Sequence, residues 1–156
     1  GAFRSLRVRG VSFHVHFFGE VYQDPPPCNY SNRGTLSPSE LGDLYRSSDL
    51  GLVFSATNYS LIPIEMMACG LPVLEIDGDS TRAVFPEGTL FRAPPDPVAI
   101  AERLEEALRA RDLGNRVRSA ATSFLSDLSW ERSSSMLEKG ILEGLGQDSA
   151  DTVSEP

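Results

Sequence analysis

The chain has 156 residues, of which 40% are apolar and 23% charged, and this is the composition of one ordinary globular domain. Its formal net charge of −8 argues against nucleic acid or an anionic membrane surface as partner, since both require a basic face. No apolar run reaches the length of a membrane span and no signal peptide is visible, so no transmembrane segment is predicted. The chain does not start with Met, and its first helical pattern begins midway, so we expect it to be part of a longer protein.

The first elements in chain order are the end of a helix and a strand. Residues 1–9 carry apolar side chains at helical spacing, and residues 12–18 alternate in polarity as a strand does. His14 and His16 share one face of this strand, which would suit a metal ion. The chain has no third His and no closely spaced Cys pair, so we predict no metal site.

A polar loop is predicted over residues 20–33, where three consecutive prolines hold the chain extended. It is either a plain crossover connection or one wall of a ligand cleft, because it follows the carboxyl end of a strand. Arg33 is its one basic residue and could face a phosphate or solvent. Gly34, Thr35 and Leu36 are predicted to form a short strand.

The next two elements have clear sequence signals. Ser37 and Glu40 form a capping box with Pro38 at the first helical position, so a helix begins there and runs to Ser48. The short apolar run at 50–54 is typical of a strand buried on both faces in a parallel sheet.

A polar turn and a short helix follow that strand. The turn consists of Thr57, Asn58, Tyr59 and Ser60. Ser60 is the predicted N-cap, Pro63 lies in the first turn, and Gly70 ends the helix in a left-handed conformation. Ligands of open α/β sheets bind beyond the carboxyl ends of strands, where a helix N-terminus offers free amides to a phosphate. Glu65 lies one turn inside this helix, within reach of the sugar hydroxyls of a nucleotide.

The remaining elements alternate in the same way. A strand is predicted at 72–76 and a turn at 77–82, in which Arg82 could contact donor or acceptor or be an exposed loop arginine. A short strand at 89–92 precedes three helices, which begin near Asp96, Leu113 and Ser129. The last helix is expected to end near Leu145, and residues 146–156 to form a disordered acidic tail.

The segment Glu65-Met-Met-Ala-Cys-Gly-Leu-Pro-Val73 resembles half of a known signature. It is similar to the second half of the motif of the large group 1 family of retaining GT-B glycosyltransferases. The first Glu of that motif would fall at position 57, where this chain has Thr57, and Pro63 stands two residues before Glu65 instead of three. A Tyr-Ser turn followed by Pro-x-Glu further resembles the rhamnosyltransferase branch that uses dTDP-rhamnose.

The resemblance implies an α/β fold with a Rossmann-like parallel sheet and helices on both faces, as one half of a GT-B two-domain architecture. This domain would span residues 1–145, with the acceptor domain, the first strand and the family's diphosphate-binding Arg and Lys upstream of Gly1. The full-length protein would be a hexosyltransferase of polysaccharide biosynthesis that moves a sugar to a glycan or lipid-linked acceptor. Alone, the chain is expected to bind nucleotide weakly and to transfer nothing.

The resemblance also implies roles for individual residues. Glu65 would hold the ribose of the donor nucleotide, and the main-chain amides of Ser60, Leu61 and Ile62 would stabilise phosphate charge that develops in the transition state. Thr57, Asn58 and Tyr59 would line the sugar pocket. Gly34 and Thr35 would run past the base of the nucleotide. Arg33 and Arg82 would make further contacts with the sugar donor. No cofactor besides the nucleoside-diphosphate sugar and no divalent metal are expected.

Three alternatives remain open at the sequence level. A non-catalytic nucleotide-binding or interaction module with the same fold is favoured by Thr57, and a nucleotide-sugar epimerase of the same architecture is possible. A glycosidase pair of Glu65 and Glu75 is disfavoured, because nothing places the two carboxylates across a bond. Cys28 and Cys69 indicate free thiols in a reducing cytoplasm. The missing N-terminal half of the full-length protein could add peripheral contact with the inner face of a membrane.

Overall fold

A computed structural model of the protein describes residues 1–20, 23–24, 26–55 and 60–151, and all structural statements below concern these residues. The chain divides into two compact units, Gly1–Leu125 and Ser126–Pro156, which are described separately. Among the described residues, none of the helices combines the length and the apolar character that crossing a bilayer requires.

Helices and strands alternate along most of the chain. In order they are α1 (Ala2–Val8), β1 (His14–Phe17), β2 (Asn29–Asn32), α2 (Pro38–Ser47), β3 (Gly51–Val53), α3 (Ile62–Ala68), β4 (Val73–Ile76), α4 (Asp79–Val84), β5 (Phe91–Ala93), α5 (Pro97–Arg109), α6 (Arg111–Ser126) and α7 (Trp130–Asp151).

All strand pairs are parallel. β1 pairs with β2, and β3, β4 and β5 form a second sheet in that order, with Val53 opposite Glu75 and Glu75 opposite Arg92. Parallel neighbours need a crossover connection, and here α3 and α4 provide the crossovers of the second sheet. Since the strands of a parallel sheet point the same way, the segments after β3, β4 and β5 emerge at one edge, which we call the carboxyl edge.

The three-stranded sheet is buried on both faces. Val73 and Leu74 are consecutive residues of β4, both fully buried, and they belong to different hydrophobic clusters. The first cluster packs against α2, α3 and α6 through Tyr45, Met66, Met67 and Ala121. The second includes Leu6 of α1 and residues of α5 and α6. The predicted α/β class, with a parallel sheet covered by helices on both faces, is therefore confirmed.

The helix starts that the sequence predicts are formed by the expected contacts. The Ser37 main-chain N–H donates to Glu40 Oε2 at 2.9 Å, and the Glu40 N–H donates back to Ser37 Oγ at 3.4 Å. At α5, Asp96 Oδ2 accepts from the N–H groups of Val98 and Ala99 at 2.9 and 2.8 Å. Both helices have Pro at their first position, where no N–H is needed.

One strand lies elsewhere than predicted. The segment 34–36 is not a strand; instead Asn29–Asn32, inside the predicted loop, pairs in register with β1. Gly34 has a φ of +60°, a left-handed conformation that cannot continue a strand. The sequence of β2 is polar and mostly exposed, so it lacks the apolar alternation by which a strand is recognised.

Other boundaries also differ from the predicted ones. Residues 79–82 of the predicted turn belong to α4, and β5 begins two residues later than the predicted strand and ends at Ala93. α7 continues through Asp151, so residues 146–151 are helical where we expected a disordered tail. Residues 152–156 lie outside the described part.

Candidate functional site

The position of α3 is fixed by glycines at its end and beneath it. Gly70 follows the helix with a φ of +78°, as predicted, and its carbonyl oxygen accepts from Arg118 Nε of α6 at 2.7 Å. Gly51 of β3 lies under Met66, so close that a Cβ atom at Gly51 would overlap the Met66 sulfur. These contacts hold α3 against the sheet, and α3 follows β3 along the chain.

Glu65 lies in the first turn of α3 and is exposed, whereas its neighbours Met66 and Met67 are buried in the core. None of the ion pairs or side-chain hydrogen bonds formed by the described residues uses the Glu65 carboxylate. Glu65 thus lies in the first turn of the helix after β3, where the sequence placed it, and its role toward a ligand stays a prediction.

The start of α3 differs from the predicted cap. Leu61 is the N-cap and makes no side-chain capping contact, while Ser60 Oγ accepts from the Ile62 N–H at 3.1 Å. The predicted N-cap Ser60 is therefore one residue too early, although its hydroxyl still bonds a helix-start amide. Thr57, Asn58 and Tyr59, the predicted sugar-pocket residues, lie outside the described residues.

Glu75 does not face Glu65 across a cleft. Its side chain is 1% exposed, and its carboxylate accepts hydrogen bonds from the main-chain N–H and the hydroxyl of Ser55 at 2.8 and 2.9 Å. A glycosidase carboxylate must reach a glycosidic bond or a water molecule, and this one is enclosed. The hydrogen bonds between Ser55 and Glu75 were not predicted, although an acid inside an apolar parallel strand was the available signal.

The ends of β1 and β2 meet through main-chain contacts. Gly19 N–H donates to the Gly34 carbonyl at 2.9 Å, and Thr35 Oγ1 lies 3.4 Å from the Gly19 carbonyl. Arg33 is exposed, and its Nε lies 3.4 Å from His16 Nδ1. These predicted residues thus lie together at the carboxyl edge of the two-stranded sheet, with Arg33 contacting a histidine instead of solvent alone.

His14 and His16 lie side by side on β1, and their rings are tilted by 49° with centroids 4.8 Å apart. Burial, followed by the charges of Arg33 and His14, lowers the pKa of His16, which favours its neutral form. Within the described ranges no group of three or more His, Cys, Asp or Glu side chains could hold a metal ion.

Arg82 forms an ion pair with Asp77, an acid of its own segment. Its Nε and Nη2 donate to the two carboxylate oxygens of Asp77, both at 2.8 Å, and this pairing lowers the pKa of Asp77. A donor contact by Arg82 would have to compete with this ion pair. Asp77 and Asp79 also form an Asp-x-Asp pattern, which the prediction of a metal-free site did not take into account.

A cavity lies beside the amino ends of β1 and β2. It measures about 520 Å³ and is lined by residues that precede β1 and β2, including Arg7, Phe13 and Cys28. An apolar cavity of about 240 Å³ lies between α1, β3 and α5. Both cysteines are free thiols, as predicted.

Tyr45 of α2 is a polar side chain beneath the site. It is 3% exposed, packs edge-on against Phe18 at 5.8 Å, and its hydroxyl has no hydrogen-bond partner among the described residues. Burial, and after it the charge of Glu65, raises the pKa of Tyr45 to about 12. Tyr45 therefore stays neutral in the folded protein at any ordinary pH.

Replacing Tyr45 by Phe is expected to raise the free energy of unfolding at pH 7 by about 1 kcal/mol, because a buried hydroxyl without a partner is destabilising. The raised pKa stabilises the fold fully below pH 10, and this contribution is lost as the unfolded tyrosine ionises between pH 10 and 12. Urea titrations should therefore show that the free energy of unfolding of the wild type drops relative to that of Tyr45→Phe by a further amount on the order of 2 kcal/mol by pH 11.5. A constant difference between the two proteins from pH 8 to 11.5 would contradict this.

Comparisons with known proteins give a family match for most of the chain. The family described as "Glycosyl transferase-like" matches residues 2–137. The O-antigen biosynthesis protein RfbC of Myxococcus xanthus is 35% identical over 114 residues, which are 72% of this chain and 9% of that protein. The phosphatidyl-myo-inositol mannosyltransferase of Mycobacterium leprae (strain TN) is 25% identical over 123 residues, 78% of this chain and 29% of that protein. The chain thus spans less than a third of either relative.

Two solved structures share the fold. Sucrose-phosphate synthase from Thermosynechococcus elongatus superposes with a TM-score of 0.55 at 24% identity, over 74% of this chain and 31% of that one. Anabaena Alr3699/HepE, solved in complex with UDP and glucose, gives a TM-score of 0.61 at 14% identity, over 93% and 51%. Because the family match covers most of the described chain and the fold is that of GT-B glycosyltransferases, the chain belongs to the glycosyl transferase-like family.

Proposed function

We propose that the chain is the donor-binding half of a glycosyltransferase, which moves a sugar from a nucleoside-diphosphate sugar to a glycan or lipid-linked acceptor. The observation that carries the proposal is the placement of Glu65. It is an exposed acid that forms no ion pair with another described residue, in the first turn of the helix after a parallel strand, in a chain of the glycosyl transferase-like family. In open α/β sheets the carboxyl edge is where ligands bind.

Glu65 suits a ribose for a chemical reason. A carboxylate accepts hydrogen bonds from two neighbouring hydroxyls at once, and such charge-assisted bonds are stronger than neutral ones. The buried residues on either side of Glu65 hold α3 in place, so they fix where its side chain leaves the helix. The exposed side chain itself must be ordered when the nucleotide binds, which costs up to about 2 kcal/mol of rotamer entropy.

The phosphates would be held beside Glu65. As the sugar leaves, charge builds on the diphosphate, and main-chain amides that already point at it stabilise that charge without reorganisation. We assign this role to Ser60, Leu61 and Ile62. The Ile62 amide is bonded to Ser60 Oγ in the unliganded chain, so Ser60 would have to release it. Arg33 and Arg82 are further candidate phosphate contacts, each after giving up its present partner.

The identity of the donor is a finer proposal. The Tyr-Ser turn and the Pro63-x-Glu65 spacing favour dTDP-rhamnose, and we propose retention of configuration from the motif that includes Glu65. The solved complex of HepE contains UDP and glucose, which makes UDP the natural competing nucleotide to test. In this proposal, neither the sugar transfer nor the recognition of the nucleotide base needs a metal or a further cofactor.

Ligand-observed NMR with dTDP, UDP, GDP and dTDP-rhamnose tests the proposal directly. We expect saturable binding of one nucleotide, with the matching nucleoside lacking phosphate binding more weakly. If the folded protein binds none of the four, the donor-site proposal fails, and a non-catalytic interaction module of the same fold becomes the better hypothesis. Thr57 in place of the first motif Glu is the sequence feature that favours that second candidate.

A further inference from the structure

Glu75 is an ionisable residue in a place where a parallel strand normally carries Val or Ile. The two residues before it, Val73 and Leu74, are fully buried, and Glu75 itself is 1% exposed. Burying a carboxylate is costly unless its oxygens receive hydrogen bonds. An aliphatic residue would fill the same volume without that cost, so packing alone does not account for an acid here.

The Glu75 carboxylate is bonded mainly to one distant residue. Ser55 donates its main-chain N–H to Oε1 at 2.8 Å and its hydroxyl to Oε2 at 2.9 Å, and the N–H of Ile76 also donates to Oε1 at 2.8 Å. No ion pair among the described residues includes Glu75. Its register neighbour Arg92 donates instead to the Phe85 carbonyl.

The position of Ser55 explains what these bonds achieve. The ladder between β3 and β4 ends with Val53 opposite Glu75, so Ser55 lies two residues past the last paired position. Its N–H has no strand partner there, and the Glu75 side chain supplies one. Ser55 begins the connection that leads from β3 to Ser60 and α3, and both of its polar groups are tied to β4.

We propose that Glu75 is a positioning residue of the donor site: through Ser55 it fixes the carboxyl end of β3, and thereby the direction in which the chain approaches Ser60 and Glu65. The inference deepens the proposed function and rests on it. Glu75 touches no ligand itself, since it is enclosed by the core, and acts only through Ser55.

Three variants separate positioning from packing. Glu75→Gln keeps an oxygen for the Ser55 and Ile76 amides, and the Ser55 hydroxyl can turn to accept from the new amide group. Glu75→Leu keeps the volume and removes every acceptor, and Ser55→Ala removes only the hydroxyl bond. We expect nucleotide affinity to fall about tenfold or more in Glu75→Leu, less in Ser55→Ala, and little in Glu75→Gln.

Val73→Ala is the matched control. It removes buried volume from the same strand, and we expect it to lower the free energy of unfolding without changing nucleotide affinity. If Glu75 contributed only to stability, Glu75→Leu would lower the free energy of unfolding and leave nucleotide affinity unchanged, as we expect for Val73→Ala. Wild-type affinity in folded Glu75→Leu would overturn the proposal, as would equal losses of affinity in Val73→Ala and Glu75→Leu at matched stability.

Hydrogen exchange of the Ser55 amide provides a readout that needs no ligand. We expect strong protection in the wild type and Glu75→Gln, and a loss of about tenfold or more in Glu75→Leu. If no nucleotide binds but the Ser55 amide loses its protection in Glu75→Leu, the proposed function fails, while the hydrogen bond between Glu75 and Ser55 is confirmed. If protection is unchanged in Glu75→Leu, that hydrogen bond is absent and the inference fails whatever the nucleotide result.

Discussion

Glu65→Ala should lower the affinity of the chain for its nucleotide by about ten- to a hundredfold, because hydrogen bonds to a charged group contribute about 1.5–3 kcal/mol. The free energy of unfolding should change by at most about 1 kcal/mol, which is the range of helix-dipole effects for an exposed first-turn acid. Titration of both proteins with the same nucleotide, together with urea unfolding, measures the two quantities separately.

Asp112→Ala is the control for this experiment. Asp112 is also an exposed acid in the first turn of a helix, α6, and no predicted site residue lies there. It should show the same small change in stability and no change in nucleotide affinity. Unaltered affinity in Glu65→Ala, with the wild type binding well, would refute the ribose role while leaving the fold assignment in place.

Gly51→Ala should reduce the free energy of unfolding by about 1–3 kcal/mol, as overpacking a close-packed core does. The new Cβ would overlap the Met66 sulfur and lie 3.3 Å from Leu71 Cδ2, so α3 or its methionine must move. Since Met66 is adjacent to Glu65, we also expect weaker nucleotide binding at temperatures where the variant remains folded. Thermal and urea unfolding measure the first effect, and the nucleotide titration the second.

Gly42→Ala provides the comparison for the same chemical change. Gly42 lies inside α2, and a Cβ there would meet only the exposed, flexible guanidinium of Arg46 at 3.2 Å. Alanine in a helix interior is better than glycine by about 0.5–1 kcal/mol, so this variant should be more stable than the wild type. A Gly51→Ala protein that is as stable as Gly42→Ala would mean that α3 does not pack against β3 as described.

Elements whose signals are local in sequence are the ones that the sequence predicted well. The capping box at Ser37, the Asp96 start of α5 and the left-handed Gly70 each depend on contacts within four residues. The apolar run of β3 and the pair Val73 and Leu74 of β4 have one cause as well, because strand positions buried on both faces of a sheet are mostly apolar. Glu65 was found through the motif that follows it.

Features that depend on distant residues were missed or misplaced. β2 is polar, and only its parallel pairing with β1 makes it a strand. From the sequence, Arg82 was a candidate ligand contact, whereas in the structure its guanidinium donates two hydrogen bonds to Asp77. No rule of local spacing connects Ser55 with Glu75, which are twenty positions apart.

The sequence by itself determined the α/β class and the short helix after β3 that carries Glu65, because periodicity and helix-end signals depend on neighbouring residues. The tertiary structure decided which polar side chains are available at the carboxyl edge. Glu75, Asp77 and Arg82 are all polar residues near the ends of strands, and only folding shows that each of their side chains is bonded, while the Glu65 carboxylate has no partner within the described part of the chain. The physical reason is that hydrogen bonds and ion pairs join residues by distance in space, and the chain order does not fix those distances.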